Sequence, residues 1–472
     1  DEARDAFKNA LKIDKGNFGA NHNLALLAIA GGDTDAARGF YDAVIAAHPE
    51  SLQAMLELAK LAAKTQDETA MVDWLTRAAD VHLTRGMWCG NDGLVRAKAV
   101  TAAALESRLT GGVGVSLAQP AQNALDQIVP GAGRGPVGEM RLAPDPGTFR
   151  VLPFAPATGG MIGDFFGIEG EPDPTCPREF LRRTLRRADN VAITPVVGFE
   201  NEFTLGFPDA GGWEPIDRSA CFSTTGALAS QEFMDHALAA LAALEIDVDG
   251  CHAEGGWGQN EIALAPADPL RAADDQVFFR EAIRGVARDH DMAASFSPKP
   301  SAAGAGNGLH VHISLRDAAG ENLFFDPEQV GSLSDQARSF IAGVLDHLPA
   351  LCAITAPSPP SYLRLAPSAW AGAWRCWGYD NREAAVRACS PLPGRAAQTV
   401  NVEYKPSDAS ASPYLTVGAL LTAGLDGLER RLDPPRPVKV DPAVLSAQER
   451  AEQGITRLPQ SPGEALDALE AA

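Results

Sequence analysis

Two glutamates stand at alternate positions inside a run that otherwise reads as a β-strand, Val196-Val197-Gly198-Phe199-Glu200-Asn201-Glu202-Phe203. Alternate residues of a strand share a face, so Glu200 and Glu202 point the same way. Burying both without a cation is costly, so this face is either solvated or holds a cation. Other runs carry the same conflict. His310 and His312 alternate behind the flexible Ala305-Gly306-Asn307-Gly308 loop, where the readings are core residues or ligands. Glu254 and Glu261 flank a Gly-rich loop that lets the backbone fold back and bring carboxylates together. Glu403 and Lys405 share a face of Asn401–Lys405, equally a salt bridge on a solvated strand. Arg364, Arg382 and Arg387 offer planar forks that suit phosphate and carboxylate oxygens, or plain surface ion pairs.

A chain of 472 residues exceeds one ordinary core, so two to four domains are expected. Its net charge of −21 argues against nucleic acid or an anionic membrane as partner, since both need basic surface. No run of about eighteen uncharged apolar residues suggests a membrane span. Seven scattered cysteines without CxxC spacing fit a reducing cytoplasm better than a zinc site or disulfide framework. The Asp1-Glu2-Ala3-Arg4 start, without Met or an apolar stretch, reads as that of a fragment or processed chain.

Residues 1–84 are rich in Ala and Leu, helical in period and self-similar at a shift of 34. Phe7 pairs with Tyr41, Leu24 with Leu58, Ala25 with Ala59, and Ala28 with Ala62. This resembles tetratricopeptide repeats, implying either a partner-binding groove or a solvated helical appendage. Residues 85–174 change to short apolar runs between Gly and Pro, a small strand-rich domain. Strands and helices then alternate over 175–432, as in an α+β domain. The Pro-rich start of 433–472 suggests a linker and a loose amphipathic helix.

Taken in order, the clusters resemble the glutamine synthetase family from about Arg85 to Leu432. Asp92–Lys98, Pro144–Arg150 and Ser407–Leu415 match further landmarks of that family. The resemblance implies an α+β glutamine synthetase fold, a β-grasp domain followed by a catalytic domain of antiparallel strands and helices. It implies one divalent cation held by Glu202, Glu254 and Glu261, and another by Glu200, His310 and Glu403. Such oxygen-rich sets suit magnesium or manganese. ATP would be the co-substrate, its phosphates met by His312, Arg382 and Arg387. Arg364 would grip the substrate α-carboxylate, and Gly306 would belong to the substrate loop. The acid would attack ATP to give an acyl phosphate, which an amine then converts to an amide. Family members form rings, usually two stacked hexamers, so a homo-oligomer is implied.

Three departures fall on the acceptor half. Trp370 stands where glutamine synthetase proper has a glutamate that holds ammonium, and an indole instead offers an apolar or cation–π wall. Lys405 replaces an arginine, and Ala305 an asparagine. The stretch Trp370–Ala384 resembles the divergent γ-glutamylamide-ligase branch. The leading expectation is a ligase making a γ-glutamyl amide from an amine other than ammonia. The alternatives are glutamine synthetase itself and a non-catalytic scaffold or sensor, the last expected to have lost metal ligands.

Overall fold

The computed structural model describes residues 2–209, 212–302 and 304–472. Contacts divide the chain into two compact units, residues 1–88, 97–115 and 141–166 in one and the remainder in the other.

The first unit opens with helices α1 (Glu2–Ile13), α2 (Phe18–Ala30), α3 (Thr34–Ala47), α4 (Leu52–Lys64) and α5 (Glu68–Ala78). Asn17, Asp33, Ser51 and Asp67 each accept a backbone N–H at the start of α2 to α5, satisfying donors that a helix end leaves unpaired. Asn17 and Ser51, and likewise Asp33 and Asp67, lie 34 residues apart, so the period extends to the caps. Small residues let these helices close: Ala25, Ala28 and Ala37 are buried with Tyr41, Leu58 and Leu61. A six-stranded sheet follows, built from β1 (Leu83–Cys89), β2 (Val95–Thr101), β3 (Val113–Ser116), β4 (Glu139–Pro144), β5 (Arg150–Val151) and β6 (Thr158–Phe166). Its order is β2-β1-β6-β4-β3, with β5 also on β6 and β1 parallel to β6.

Composition changes at residue 84, but burial does not. Val72 and Val81 sit in one core with Leu105, Phe149 and Met161, while Trp74 of α5 packs on the repeat core. Helix α5 thus covers the sheet as well as closing the repeats, and a boundary at 84 cuts through packed side chains. Deleting residues 1–66 is expected to leave a folded protein. Deleting through Val81 removes two buried valines, worth about 1.5–3 kcal/mol each, and should lower the melting temperature sharply. Thermal denaturation of both truncations checks this, and equal stability would contradict it.

The second unit is built on a ten-stranded sheet comprising β7 (Thr194–Asp209), β8 (Gly212–Pro215), β9 (Val248–Ala253), β10 (Gln259–Leu264), β11 (Ala293–Ser295), β12 (Leu309–Arg316), β13 (Trp374–Tyr379), β14 (Ala384–Cys389), β15 (Asn401–Tyr404) and β16 (Thr456–Arg457). Its path is β16-β13-β14-β15-β12-β7-β10-β9, with β8 and β11 also on β7. All the β7, β10, β12 and β15 pairings are antiparallel, whereas β13 and β14 run parallel. Odd residues of β7 face helix Pro269–Asp289: Phe203 meets Phe279, and Asn201 accepts a hydrogen bond from Gln276 Nε2 at 3.0 Å. Alternation then turns Glu200 and Glu202 to the opposite face. Helix Asp335–Thr355, long and apolar enough to cross a membrane, is mostly buried here and packs against Pro413–Arg430.

The segment after residue 432 is not a loose tail. β16 pairs with β13, and Val438 and Ile455 enter the core of Ala373, Trp374 and Cys376. Helix Pro462–Glu470 packs on Asp335–Thr355. Scattered apolar residues are enough to fasten an irregular chain onto an existing core.

Candidate active site

The register of six strands assembles the ionisable residues on one sheet face. His252 lies opposite Glu261, and Glu261 opposite Glu202. Glu200 pairs with His310. One pleat along, His312 lies opposite Glu403, which in turn lies opposite Arg387. Residues far apart in sequence thereby become neighbours in adjacent rows.

Three sets of donor atoms converge to within 4.8 Å of one another: Glu200, Glu261 and His310; Glu200, His312 and Glu403; and His252, Glu254 and Glu261. His310 Nδ1 lies 3.2 Å from Glu200 and 3.4 Å from Glu403, and His312 Nε2 lies 3.0 Å from Glu200. His252 Nε2 lies 2.9 Å from Glu254 and 3.6 Å from Glu261. The grouping differs from the expected one. Glu202 Oε2 accepts from Gln259 Nε2 and the Gly308 N–H, both at 2.9 Å, while Oε1 lies 3.7 Å from His310. Glu202 lies beside the cluster, opposite Glu261 in the register, and His252 joins Glu254 and Glu261 in one of the three sets. The signal for His252 is local, since it precedes Glu254 by two residues and lies opposite Glu261 across the short β9–β10 hairpin.

The electrostatics show an excess of negative charge. Burial, with Glu200, Glu202, Glu254 and Glu403 around it, raises Glu261 to about 9. Elsewhere cations prevail over burial. His310 and His312 hold Glu200 well below the usual carboxylate range, and Lys405 and His310 hold Glu403 at about 2. Against burial, His252 and the Gly255 N–H lower Glu254. Burial also opposes the charge on His312, yet Cys389 and Glu200 raise its pKa. A carboxylate cluster that must keep a proton for want of countercharge is suited to a hard divalent cation.

A measurable linkage follows. A cation that binds Glu261 as carboxylate must displace its proton, so affinity should rise by up to about tenfold per pH unit between roughly pH 6 and 9. Calorimetry with Mg²⁺ in buffers of different ionisation enthalpy should show close to one proton released at neutral pH. Glu261→Gln should abolish the release. A pH-independent affinity would contradict the arrangement.

The remaining candidates divide into two groups. Arg387 Nε contacts Glu403 Oε2 at 2.6 Å, and Lys405 Nζ lies 3.2 Å from Glu403 Oε1, so both face the cluster. Arg364 is buried and donates to the carbonyls of Ser407 at 2.9 Å and Lys405 at 3.3 Å. Gly306 lies against it, for an added Cβ would come within 2.6 Å of Arg364 Cγ. Arg382 is placed differently: exposed in the turn before β14, its guanidinium sits 5.9 Å from the centre of the Trp370 ring. Trp370 is 61% exposed, and its N–H donates to Glu383 at 2.7 Å. Beside Glu200 and His312 opens a cleft of about 510 Å³, lined among others by Leu264, Pro266, Ile313, Arg316, Arg395 and Asn401. Its size and mixed walls suit a small molecule with both apolar and anionic parts.

Residues 174–472 match the family model for the glutamine synthetase catalytic domain, residues 69–173 that for the glutamine synthetase N-terminal domain, and residues 1–61 a tetratricopeptide-repeat model. The chain is 39% identical to a gamma-glutamylpolyamine synthetase of Streptomyces coelicolor, over 80% of this chain and 82% of that protein. It is 36% identical to a glutamine synthetase of Halobacterium salinarum, over 70% and 74%. The solved structure of GmaS in an ADP complex superposes with a TM-score of 0.74 at 29% identity, covering 85% of this chain and 90% of that one.

Proposed function

The chain belongs to the glutamine synthetase family, and on that premise we propose that it joins the γ-carboxylate of glutamate to an amine other than ammonia. Its class is that of an ATP-dependent amide-forming ligase, in a family that uses ATP and divalent metals.

In this reading Glu200, Glu202, Glu254, Glu261, His310 and Glu403 hold Mg²⁺ or Mn²⁺, with His252 orienting Glu254 and Glu261. Bound there, the cations neutralise the ATP γ-phosphate and the substrate carboxylate so that two anions can meet. The cleft beside His312 takes the nucleotide. His312 and Arg387 face the transferred phosphoryl group, and Arg382 reaches it from its turn. Arg364, with Gly306 and Lys405, receives the acid. The acid's γ-carboxylate oxygen attacks the γ-phosphorus, releasing ADP and leaving an acyl phosphate. The amine nitrogen then displaces phosphate and loses a proton. Trp370 lines the approach of the amine.

The observation that carries the amine is Trp370, an exposed indole at the place where the sequence resemblance puts the ammonium-binding glutamate of glutamine synthetase proper. The name of the Streptomyces relative supports it. Glutamine synthetase proper is the second reading, favoured by the 36% identity to the Halobacterium enzyme. A retired scaffold accounts less well for six competent ligand positions brought to one sheet face. The reading also makes the enzyme a homo-oligomeric ring of the double-hexamer kind, with the repeats offering a surface to a protein partner. Incubation with ATP, Mg²⁺ and glutamate across a panel of primary amines, scored by phosphate release and mass spectrometry, is expected to show a γ-glutamyl amide. Phosphate release with no amine, ammonia included, being incorporated would overturn the ligase assignment.

A further inference from the structure

The loop between Pro359–Arg364 and β13 places two non-glycine residues in the left-handed region, Ser368 at φ +54° and Trp370 at φ +55°. A bulky side chain is strained there and persists only where its surroundings impose the conformation. Here the constraint is visible. Glu383, only 6% exposed, accepts the Trp370 N–H at 2.7 Å. Its own N–H donates to Asn381 Oδ1 at 3.0 Å, which steadies it at the entry to β14. The Ser368 hydroxyl donates to Asp441 at 2.8 Å. Gly372, at φ +70°, lies so close to Lys405 that an added Cβ would come within 2.9 Å of it. The main chain is thus pinned on both sides of Trp370, while the indole itself remains mostly exposed. A fixed backbone carrying an exposed aromatic ring is the arrangement of a presented recognition group, unlike that of a packed core residue.

We infer that Glu383 is a positioning residue for the amine subsite: its carboxyl holds the Trp370 backbone in the left-handed conformation that displays the indole beside Arg382. The inference rests on the reading of Trp370 as the amine wall. Burial, with Asp441 adding to it, raises the Glu383 pKa. A glutamine, which keeps a carbonyl acceptor at the same reach, is therefore its close mimic.

The test uses the full-length enzyme with propylamine and putrescine as probes. Glu383→Ala should raise the KM for both amines about tenfold or more, with the KM for ATP and for glutamate changed less than about twofold. Glu383→Gln should restore the amine KM to within about threefold of the parent. A second readout needs no substrate: the time-resolved fluorescence anisotropy of Trp370, isolated by subtracting the Trp370→Phe variant, should decay faster in Glu383→Ala and normally in Glu383→Gln. Equal rises in all three KM values, or unchanged anisotropy in folded Glu383→Ala, would overturn the inference. Should Glu383→Ala not fold, Glu383→Asp, one methylene shorter, should show the same split in weaker form, and its absence counts against the inference. If Trp370→Ala leaves the amine KM unchanged, the amine-wall reading fails on its own. Anisotropy then decides the clamp, a faster decay in Glu383→Ala supporting it and an unchanged one overturning it.

Discussion

Glu200→Gln is expected to lower ATP-dependent amide formation by about a hundredfold to a thousandfold or more while leaving the protein folded. Glu200 belongs to two of the three converging donor sets and balances both His310 and His312. Its side chain is partly exposed, so water can stabilise the variant. Glu403→Gln should lose as much activity but also stability. Glu403 is fully buried between Arg387 and Lys405, and neutralising it leaves those cations without their anion. Breaking such a pair typically costs about 3–5 kcal/mol. Turnover and thermal denaturation of both variants check the contrast. Near-normal turnover in folded Glu403→Gln would remove the cluster from the active site.

Trp370→Glu is expected to shift preference from primary amines toward ammonia. Each methylene that an amine buries against the indole contributes about 0.8 kcal/mol, so losing two such contacts costs about tenfold in specificity. A carboxylate would also offer ammonium a charge-assisted hydrogen bond that an indole face cannot match. The structure sets a limit on that gain. Arg382 already lies 5.9 Å from the ring centre, and its guanidinium would compete for a new carboxylate. Loss of amine preference should therefore exceed gain of ammonia use. Specificity constants for ammonia and propylamine in the parent and the variant check this. An unchanged ratio would remove Trp370 from the amine subsite.

Much of the face that carries the site was legible in the sequence because strand alternation is a local property. Glu200 with Glu202, His310 with His312, and Glu403 with Lys405 each show a period of two. What could not be read was register. In the rows His252–Glu261–Glu202 and Arg387–Glu403–His312, the first pair of each joins consecutive strands, but Glu261 with Glu202 and Glu403 with His312 pair strands that are tens of residues apart. Arg382 and Arg387 read alike in sequence, yet one lies in a turn and the other in a strand facing Glu403. Packing across the compositional change near residue 84 is hidden for a related reason. Composition marked residue 84, whereas Val72 and Val81 join the core beyond it. Pro-rich composition likewise concealed Val438 and Ile455, whose burial depends on partners far upstream.

The central claim is that the metal and phosphate machinery of the family serves a larger amine here. The most direct measurement compares kcat/KM for ammonia with that for a series of primary amines, from methylamine through propylamine to putrescine, under saturating ATP, glutamate and Mg²⁺. The account predicts that at least one amine exceeds ammonia by about tenfold or more, as two buried methylenes would supply. Ammonia used at least as efficiently as every amine tried would contradict it and make the protein a glutamine synthetase in the ordinary sense.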